Sequence, residues 1–147
     1  MTVLGLRCRG SSRRDTHHQG LRLRHDPAEL GRARAFADAA AERFGLDVRG
    51  REDFKLATSE AVANAIEHGL PCWDGAIHLW AAVGDTMLTL GVRNGGEFVF
   101  RPPPTDPLAE RGRGLTVMAG LVDAVALSRI GDDIQIELSK ERPDGNC

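Results

Sequence analysis

The sequence has few cysteines, and their spacing excludes several kinds of site. Cys8, Cys72 and Cys147 are the only three, and they lie far apart. No pair has the separation that is typical of a metal site or a redox motif. An odd number of isolated thiols suits a reducing compartment. We therefore expect no disulfide and no zinc site, and we expect a cytoplasmic protein.

Long hydrophobic runs and an excess of one charge are also absent. The longest uncharged apolar run, around residues 76–84, has about half the length of a helical membrane crossing, and the N-terminus lacks the apolar segment of a signal peptide. The formal charge is only −2, so neither a membrane nor direct nucleic-acid binding is expected. With 147 residues, 41% of them hydrophobic and 27% charged, the chain fits one globular domain.

Only the first 20 residues depart from this composition. They contain four arginines against one acid, and almost no apolar residue follows Leu6. We predict a disordered basic tail over residues 1–20. The alternatives are a tail that touches nucleic acid or an acidic partner, and a start codon placed too early. The domain is predicted over residues 21–141, with a C-terminal tail over 142–147.

The pattern within the domain predicts an α+β fold. Leu21 and Leu23 alternate with arginines, as in a half-buried strand. A helix should follow, with Asp26 as its cap, Glu29 as the acid of a capping box and Gly45 as its end. The elements predicted after it are a helix over 52–68, strands over 76–83 and 87–93, a helix over 115–122, and strands over 124–130 and 134–139. Mostly consecutive strands favour a two-layer sandwich, with helices on one face of a mainly antiparallel mixed sheet.

One face of the second predicted helix carries Glu60, Asn64 and His68. They stand four residues apart and therefore one turn apart. A solvated polar stripe is one explanation. Asparagine is a poor helix former, however, so its position in mid-helix favours a function. A magnesium ion would provide one, since Mg²⁺ takes one or two side-chain oxygens and completes its shell with water and phosphate.

Two glycine-rich segments follow this helix. The Asn94-Gly95-Gly96 motif ends a hairpin, and the Arg111-Gly112-Arg113-Gly114 motif precedes a short helix. The glycines can be turn residues and no more. A glycine-rich turn that leads into a helix also presents free backbone N–H groups to an anion, and the arginines add positive charge. The proline-rich segment between the two motifs is predicted to be a mobile lid.

These motifs resemble those of the GHKL (Bergerat-fold) ATPases, in the form found in bacterial anti-sigma factor serine kinases. The run SEAVANAIEHG at residues 59–69 is similar to the N box of that family. The Asn94-Gly95-Gly96 motif falls at the first glycine box, and Gly112-Arg113-Gly114-Leu115 is similar to the second. The resemblance covers residues 21–140, where the motifs have the order and spacing of the family. It implies the Bergerat ATP-binding fold.

The resemblance implies a role for each matching position. Glu60 matches the general base that takes a proton from a substrate serine, and residues 97–113 match a lid over the triphosphate. Asn64 matches the magnesium ligand. The other nucleotide contacts that it implies are Asn94, Gly96, Arg111, Gly112, Arg113, Gly114 and Leu115.

The resemblance also implies cofactors and partners. Members of the family use ATP and Mg²⁺, bind a sigma factor, and phosphorylate a serine of an antagonist (anti-anti-sigma) protein that would otherwise release it. Pairing through a sheet or helix face is known in the family, so a homodimer is compatible with the resemblance. The function that it implies is a partner-switching serine kinase.

Two positions depart from the family pattern. The first glycine box normally begins with Asp, which accepts a hydrogen bond from the adenine amino group, but position 94 is Asn. A neutral hydrogen bond is about half as strong as a charge-assisted one, so we expect roughly tenfold weaker ATP binding. The family's Gly-Thr near the last strand is replaced by Gly131-Asp132-Asp133. Asp133 is either a substitute for the missing carboxylate or a plain turn residue.

Three functions are therefore compatible with the sequence. The first is the MgATP-dependent kinase. The second is a regulatory binding module of the same fold with weak or no ATP use, which Asn94 would explain. The third is a histidine-kinase catalytic domain, which is disfavoured because His17 and His18 lie in a stretch without helical periodicity.

Overall fold

A computed structural model describes residues 17–96 and 114–142 of the chain. The first 16 residues, the predicted lid at 97–113 and the last five residues lie outside them. A 3-10 turn (Pro27–Glu29) precedes the first helix. The elements are β1 (His17–Arg24), α1 (Leu30–Phe44), α2 (Val48–His68), β2 (Ala76–Val83), β3 (Met87–Gly95), α3 (Gly114–Leu121), β4 (Ala124–Ile130) and β5 (Asp133–Glu141).

The strands form one sheet in the order β1-β2-β3-β5-β4. Every neighbouring pair within the described chain is antiparallel, so the predicted two-layer α+β fold is confirmed but the sheet is not mixed. α1 lies over β1, β2 and β3, α2 lies over β3 and β5, and α3 lies next to β4. None of the described helices is both long and apolar enough for a membrane crossing.

The core lies between the helices and the sheet. Phe44 of α1, Phe54 of α2 and Leu90 of β3 are fully buried in it. The helices contact each other through small side chains, which allow close approach of their backbones. The buried alanines of α1 and α2 are Ala33, Ala37, Ala40, Ala41, Ala57, Ala61 and Ala65.

The start of the domain differs from the prediction. β1 begins at His17, and its pairing with β2 runs from His17 opposite Val83 to Arg24 opposite Ala76. The predicted disordered tail is therefore wrong for residues 17–20. All four of these residues are exposed, so no apolar side chain marks them as a strand. Their order comes from backbone pairing with β2, which side-chain alternation does not reveal.

The predicted capping box does not form, although the predicted cap does. Asp26 accepts a hydrogen bond from the Ala28 N–H (2.9 Å). The buried carboxylate of Glu29 instead accepts hydrogen bonds from the Arg24 N–H (3.0 Å) and from the guanidinium of Arg32 (2.8 Å). These contacts hold the pKa of Glu29 below its ordinary value, and the hydrogen bond from the Arg24 backbone has the largest effect. Glu29 therefore fastens the start of α1 to the end of β1.

The start of α2 also differs from the prediction of about residue 52. The helix begins at Val48 because Asp47 accepts a hydrogen bond from the Gly50 N–H (2.7 Å) and so caps it. Arg51, in the first turns, donates two hydrogen bonds to Asp38 of α1 (3.0 Å each). The hydrogen bond from Arg51 holds the pKa of the Asp38 carboxyl below its ordinary value. This ion pair fixes which side of α2 faces α1.

Two N-terminal deletions should separate the tail from the strand. Removal of residues 2–16 is expected to leave the melting temperature within error, because this stretch has no apolar face to bury. Removal of residues 2–20 should lower it by several degrees, because half of β1 and the contact between His17 and Arg43 (3.0 Å) are lost. Thermal unfolding followed by circular dichroism measures both. Equal melting temperatures for the two deletions would contradict the pairing described for residues 17–20.

Candidate functional site

The side chains of Glu60 and Asn64 lie on the flank of α2 that faces away from α1. The opposite flank is marked by Arg51, which reaches Asp38 of α1. Since α1 lies over β1 to β3 while α3 packs on α2 and β4, the two neighbouring helices flank α2 on opposite sides. Glu60 and Asn64 are both half-buried. The structure therefore brings these two residues together on the side of α2 where α3 lies.

His68, the third member of the stripe, lies at the exposed end of α2. Its Nε2 is 3.5 Å from Glu67 Oε2, and both side chains are largely in solvent. The Gly69 N–H makes the last helical hydrogen bond, to Ala65 O (3.1 Å), and the helix ends because the backbone of Gly69 is extended (φ −100°, ψ −177°). His25 Nε2 lies 3.1 Å from the same oxygen. The solvated-stripe explanation thus describes His68 well, while Glu60 and Asn64 are less exposed.

A hydrogen-bonded bridge joins the segment after α2 to the end of β3. The Leu70 N–H donates to Gly95 O (3.1 Å), and the Gly95 N–H donates to Leu70 O (2.7 Å). A Cβ on Gly95 would lie 2.5 Å from Pro71 O, so a side chain at this position would prevent the close approach. Asn94 and Gly95 are the last residues of β3, which the sequence predicts to end at residue 93, because they pair with Ile134 and Asp133 of β5. The bridge therefore brings the end of α2 next to the Asn94-Gly95-Gly96 motif.

Asn94 is buried beneath the C-terminal end of α2. Its residue exposure is 7%, and a Cβ on Gly69 would overlap its Nδ2 atom. The same Nδ2 donates a hydrogen bond to Gly95 O (2.9 Å). An aspartate at this position would have no N–H for this bond. The glycine that ends α2 therefore makes room for an amide that is held in place by the backbone of β3.

Asp133 lies beside Asn94 in the sheet but on the other face. Its register partner is Gly95, and side chains alternate between the two faces along a strand. The Asp133 carboxylate accepts a hydrogen bond from Arg93 Nε (2.8 Å). Burial, and then the nearby Asp133 carboxylate, raise the pKa of the Cys72 thiol to about 11. The structure therefore places Asp133 among groups of the opposite face, and it does not bring this carboxylate to Asn94.

The second glycine-rich motif leads directly into α3. The helix begins at Gly114, one residue before the predicted start, and Leu115 is its second residue. Arg111, Gly112 and Arg113 lie outside the described residues. A helix N-terminus presents unpaired N–H groups and the positive end of its dipole. α3 packs against α2, the helix that carries Glu60 and Asn64.

These residues fit a nucleotide that carries magnesium. Asn64 offers an amide oxygen, which is a ligand that Mg²⁺ accepts, and Asn94 offers a buried amide to a base. The start of α3 offers N–H groups to phosphate. No three His, Cys, Asp or Glu residues in the described ranges are grouped to hold a metal by themselves. A magnesium ion bound to phosphates needs only one or two protein oxygens.

Sequence reasoning missed the residues that assemble the site. Gly69, Leu70 and Pro71 directly follow the helix predicted over 52–68, and no role is predicted for Leu70 and Pro71, but the structure shows that the three residues contact Asn94 and Gly95. The available signal was a glycine that directly follows a polar helical face. That signal indicates a close approach without identifying the partner.

Comparison with known proteins decides the family. A family model described as the histidine kinase-like ATPase domain matches residues 23–140. The chain belongs to this family. The resemblance inferred from the N box and the glycine boxes is thereby confirmed.

Curated relatives of this histidine kinase-like ATPase include two proteins with functional names. The serine-protein kinase RsbW of Bacillus pumilus is 34% identical over 114 residues, which covers 67% of this chain and 70% of the relative. The anti-sigma F factor of Clostridium acetobutylicum is 35% identical over 99 residues, which covers 61% of this chain and 69% of the relative.

A solved structure agrees with the fold. The crystal structure of the RsbU and RsbW domains of a Mycobacterium tuberculosis protein matches with a TM-score of 0.64 and 23% identity. The match covers 86% of this chain and 33% of the other, so the chain spans about a third of that longer protein. At this identity the likeness shows a shared fold.

Proposed function

We propose that this histidine kinase-like ATPase is an anti-sigma factor that uses MgATP to phosphorylate a serine of an antagonist protein. The observation that carries the proposal is the position of Glu60 and Asn64, one turn apart on the flank of α2 that faces α3. The names of the curated relatives, a serine-protein kinase and an anti-sigma factor, support it. Its partners would be a sigma factor and the anti-anti-sigma antagonist, and its place would be the cytoplasm.

The nucleotide would lie between α2, the end of β3 and the start of α3. Asn64 would hold the magnesium ion through its amide oxygen, and Asn94 would meet the base beneath the end of α2. The phosphates would meet backbone N–H groups and the arginine charges of the second glycine-rich motif. The residues in this last group are Arg111, Gly112, Arg113, Gly114 and Leu115.

Glu60 would carry the proton transfer. When bound, MgATP supplies the phosphoryl group and the positive charge that stabilises its transfer. The Glu60 carboxylate accepts the proton that the substrate serine hydroxyl loses as its oxygen attacks. α2 holds this carboxylate at a fixed position, because the helix is packed against both α1 and the sheet. Asn64, one turn away on the same flank, positions the metal-bound phosphates relative to the base.

A regulatory binding module with weak or no ATP use is the second candidate. Asn94 favours it, because the amide replaces the carboxylate that strengthens adenine binding in the family. The structure gives the amide a bond of its own to Gly95 O. This position is therefore stable without a nucleotide.

Calorimetric titration with ATP and Mg²⁺ distinguishes the two candidates. We expect measurable heat, a dissociation constant in the micromolar range or weaker, and a higher melting temperature at saturating nucleotide. Chelation of Mg²⁺ should weaken binding, because the Asn64 oxygen then has no metal to hold. Absence of both heat and stabilisation, in a protein that still binds a sigma factor, would favour the binding module.

The substitution Asn94→Asp tests which group faces the base. A carboxylate should bind the adenine amino group more strongly, and ATP affinity should rise about tenfold. Without nucleotide, the variant should melt at a lower temperature, because the hydrogen bond to Gly95 O is lost and a buried charge replaces it. Titration and thermal unfolding measure the two effects separately. Unchanged ATP affinity would place Asn94 away from the base.

A further inference from the structure

Five polar or charged residues are buried in the described part of the chain, and four of them are engaged within the fold. Glu29 fastens the start of α1 to the end of β1, and Thr58 donates a hydrogen bond to the backbone of its own helix (2.9 Å). Asp133 and Gln135 lie on the sheet face that points away from the helices, because they alternate along β5 with residues of the core. Asn94 is the fifth, and it lies on the helix side.

The side chain of Asn94 has more hydrogen-bonding capacity than the fold uses. A side-chain amide carries two N–H donors and one oxygen acceptor. Gly95 O accepts one of the donors, at 2.9 Å from Nδ2. Within the described ranges the other N–H and Oδ1 have no recorded partner, although the residue is 93% buried (7% exposed). Since buried polar atoms are normally paired, these two groups indicate a polar ligand at this position.

An amide and a carboxylate read different groups on a purine base. Adenine carries an amino group at C6, which donates, whereas guanine and hypoxanthine carry an oxygen there, which accepts. A carboxylate has only acceptors, so an aspartate at position 94 would bind the amino group and repel the oxygen. The amide of Asn94 has an acceptor for the first group and a donor for the second. It therefore lacks the chemistry that excludes an oxygen at C6.

We propose that the site accepts 6-oxopurine nucleoside triphosphates as well as ATP. This inference rests on the proposed function, because it requires a base that meets Asn94. With ATP, Oδ1 accepts the 6-amino N–H while Nδ2 keeps its bond to Gly95 O. With a 6-oxopurine, an N–H of Nδ2 donates to the base oxygen. If the amide must turn over to do so, the loss is one hydrogen bond, which is about tenfold in affinity or less.

Three acids of neighbouring elements do not replace the missing carboxylate. Asp133 points to the other face of the sheet, where Arg93 Nε donates to it (2.8 Å). Glu60 lies nine residues before Gly69, the glycine that lies against Asn94, which is about 13 Å along the axis of α2. The side chain of Glu67 is largely in solvent. Selectivity at C6 of the base therefore depends on position 94.

Calorimetric titration of the full chain with ATP and with ITP, each with Mg²⁺, tests the inference. ITP carries hypoxanthine, so it differs from ATP at C6 and N1 and lacks the 2-amino group of GTP. For the wild type we expect dissociation constants within about tenfold of each other. In Asn94→Asp, ATP should bind about tenfold more tightly and ITP at least tenfold more weakly. The preference for ATP should thus increase about a hundredfold.

Two further variants serve as controls for position and for folding. Gln135→Glu makes the same change, from a buried amide to a carboxylate, on the other face of the sheet, and it should leave the ratio of the two dissociation constants unchanged. Asn94→Ala removes both the donor and the acceptor without adding a charge. It should weaken ATP and ITP alike, by about fivefold. Circular dichroism checks the fold of each variant.

The outcomes separate this inference from the proposed function. A wild type that prefers either nucleotide by more than tenfold would overturn the inference while MgATP use stands. So would an equal ratio in the wild type and in folded Asn94→Asp, a Gln135→Glu variant that shifts the ratio as strongly, or affinities that Asn94→Ala leaves unchanged. If neither nucleotide binds to the wild type, the proposed function fails together with the inference.

Discussion

Replacing Glu60 with glutamine is expected to lower phosphate transfer to an antagonist serine by roughly a hundredfold or more. MgATP binding should persist, because the base acts only in the transition state and glutamine preserves the shape of the side chain. Single-turnover transfer assays measure the first effect, and calorimetric titration measures the second. The combination of lost transfer and retained binding would separate a catalytic base from a residue that only shapes the site.

Two further variants complete this test. Asn64→Ala should lose both nucleotide binding and transfer, since a metal ligand acts in the ground state as well. Glu67→Gln makes the same change on an exposed part of α2, seven residues after Glu60, and should leave both properties unchanged. Full transfer activity in the Glu60→Gln variant would show that another group accepts the proton.

The substitution Gly91→Val should destabilise the fold by about 2 kcal/mol or more. Gly91 lies in β3 opposite Trp80 of β2, and a Cβ on Gly91 would overlap the indole ring. Trp80 Nε1 donates a hydrogen bond to Gln135 Oε1 of β5 (3.0 Å), so a displaced ring also loses that bond. Denaturant unfolding gives the free energy. Emission from Trp80 in a Trp73→Phe background should shift to longer wavelength.

Gly20→Val is the matched control. Gly20 faces Trp80 from the other side, in β1, but a Cβ there would contact only Leu79 O at 3.8 Å. We expect a change in the free energy of unfolding within about 1 kcal/mol, because valine suits an exposed strand position. Similar losses in both variants would indicate a general intolerance of β-branched residues rather than a clash with Trp80.

The predictions succeeded where side-chain pattern and local chemistry decide the structure. The end of α1 at Gly45, where φ is +94°, follows from the conformational freedom of glycine. β1 was predicted four residues too short, because its first residues are ordered by backbone pairing with a strand some 60 residues away in sequence. Single-sequence patterns contain no information on such pairing.

In the candidate site too, the features that local sequence patterns decide were predicted, and those that depend on strand pairing were not. The spacing of Glu60 and Asn64 predicts a shared helix face, and the structure places both on the α3 side. The faces of Asn94 and Asp133 depend on the register between β3 and β5. The sequence does not specify that register, so the suggested exchange of carboxylates between them could not be judged before the strands were paired.

The bridge between Leu70 and Gly95 also provides a backbone amide whose hydrogen exchange reports whether the site is intact. The Gly95 N–H exchanges with solvent deuterium only when the bridge opens, because its hydrogen bond to Leu70 O is 2.7 Å long and Gly95 is buried. Its protection therefore reports local opening between α2 and β3. In a variant that no longer binds nucleotide, slow exchange at Gly95 would indicate an intact site that lacks one contact. Fast exchange would indicate that the end of β3 has come away from α2.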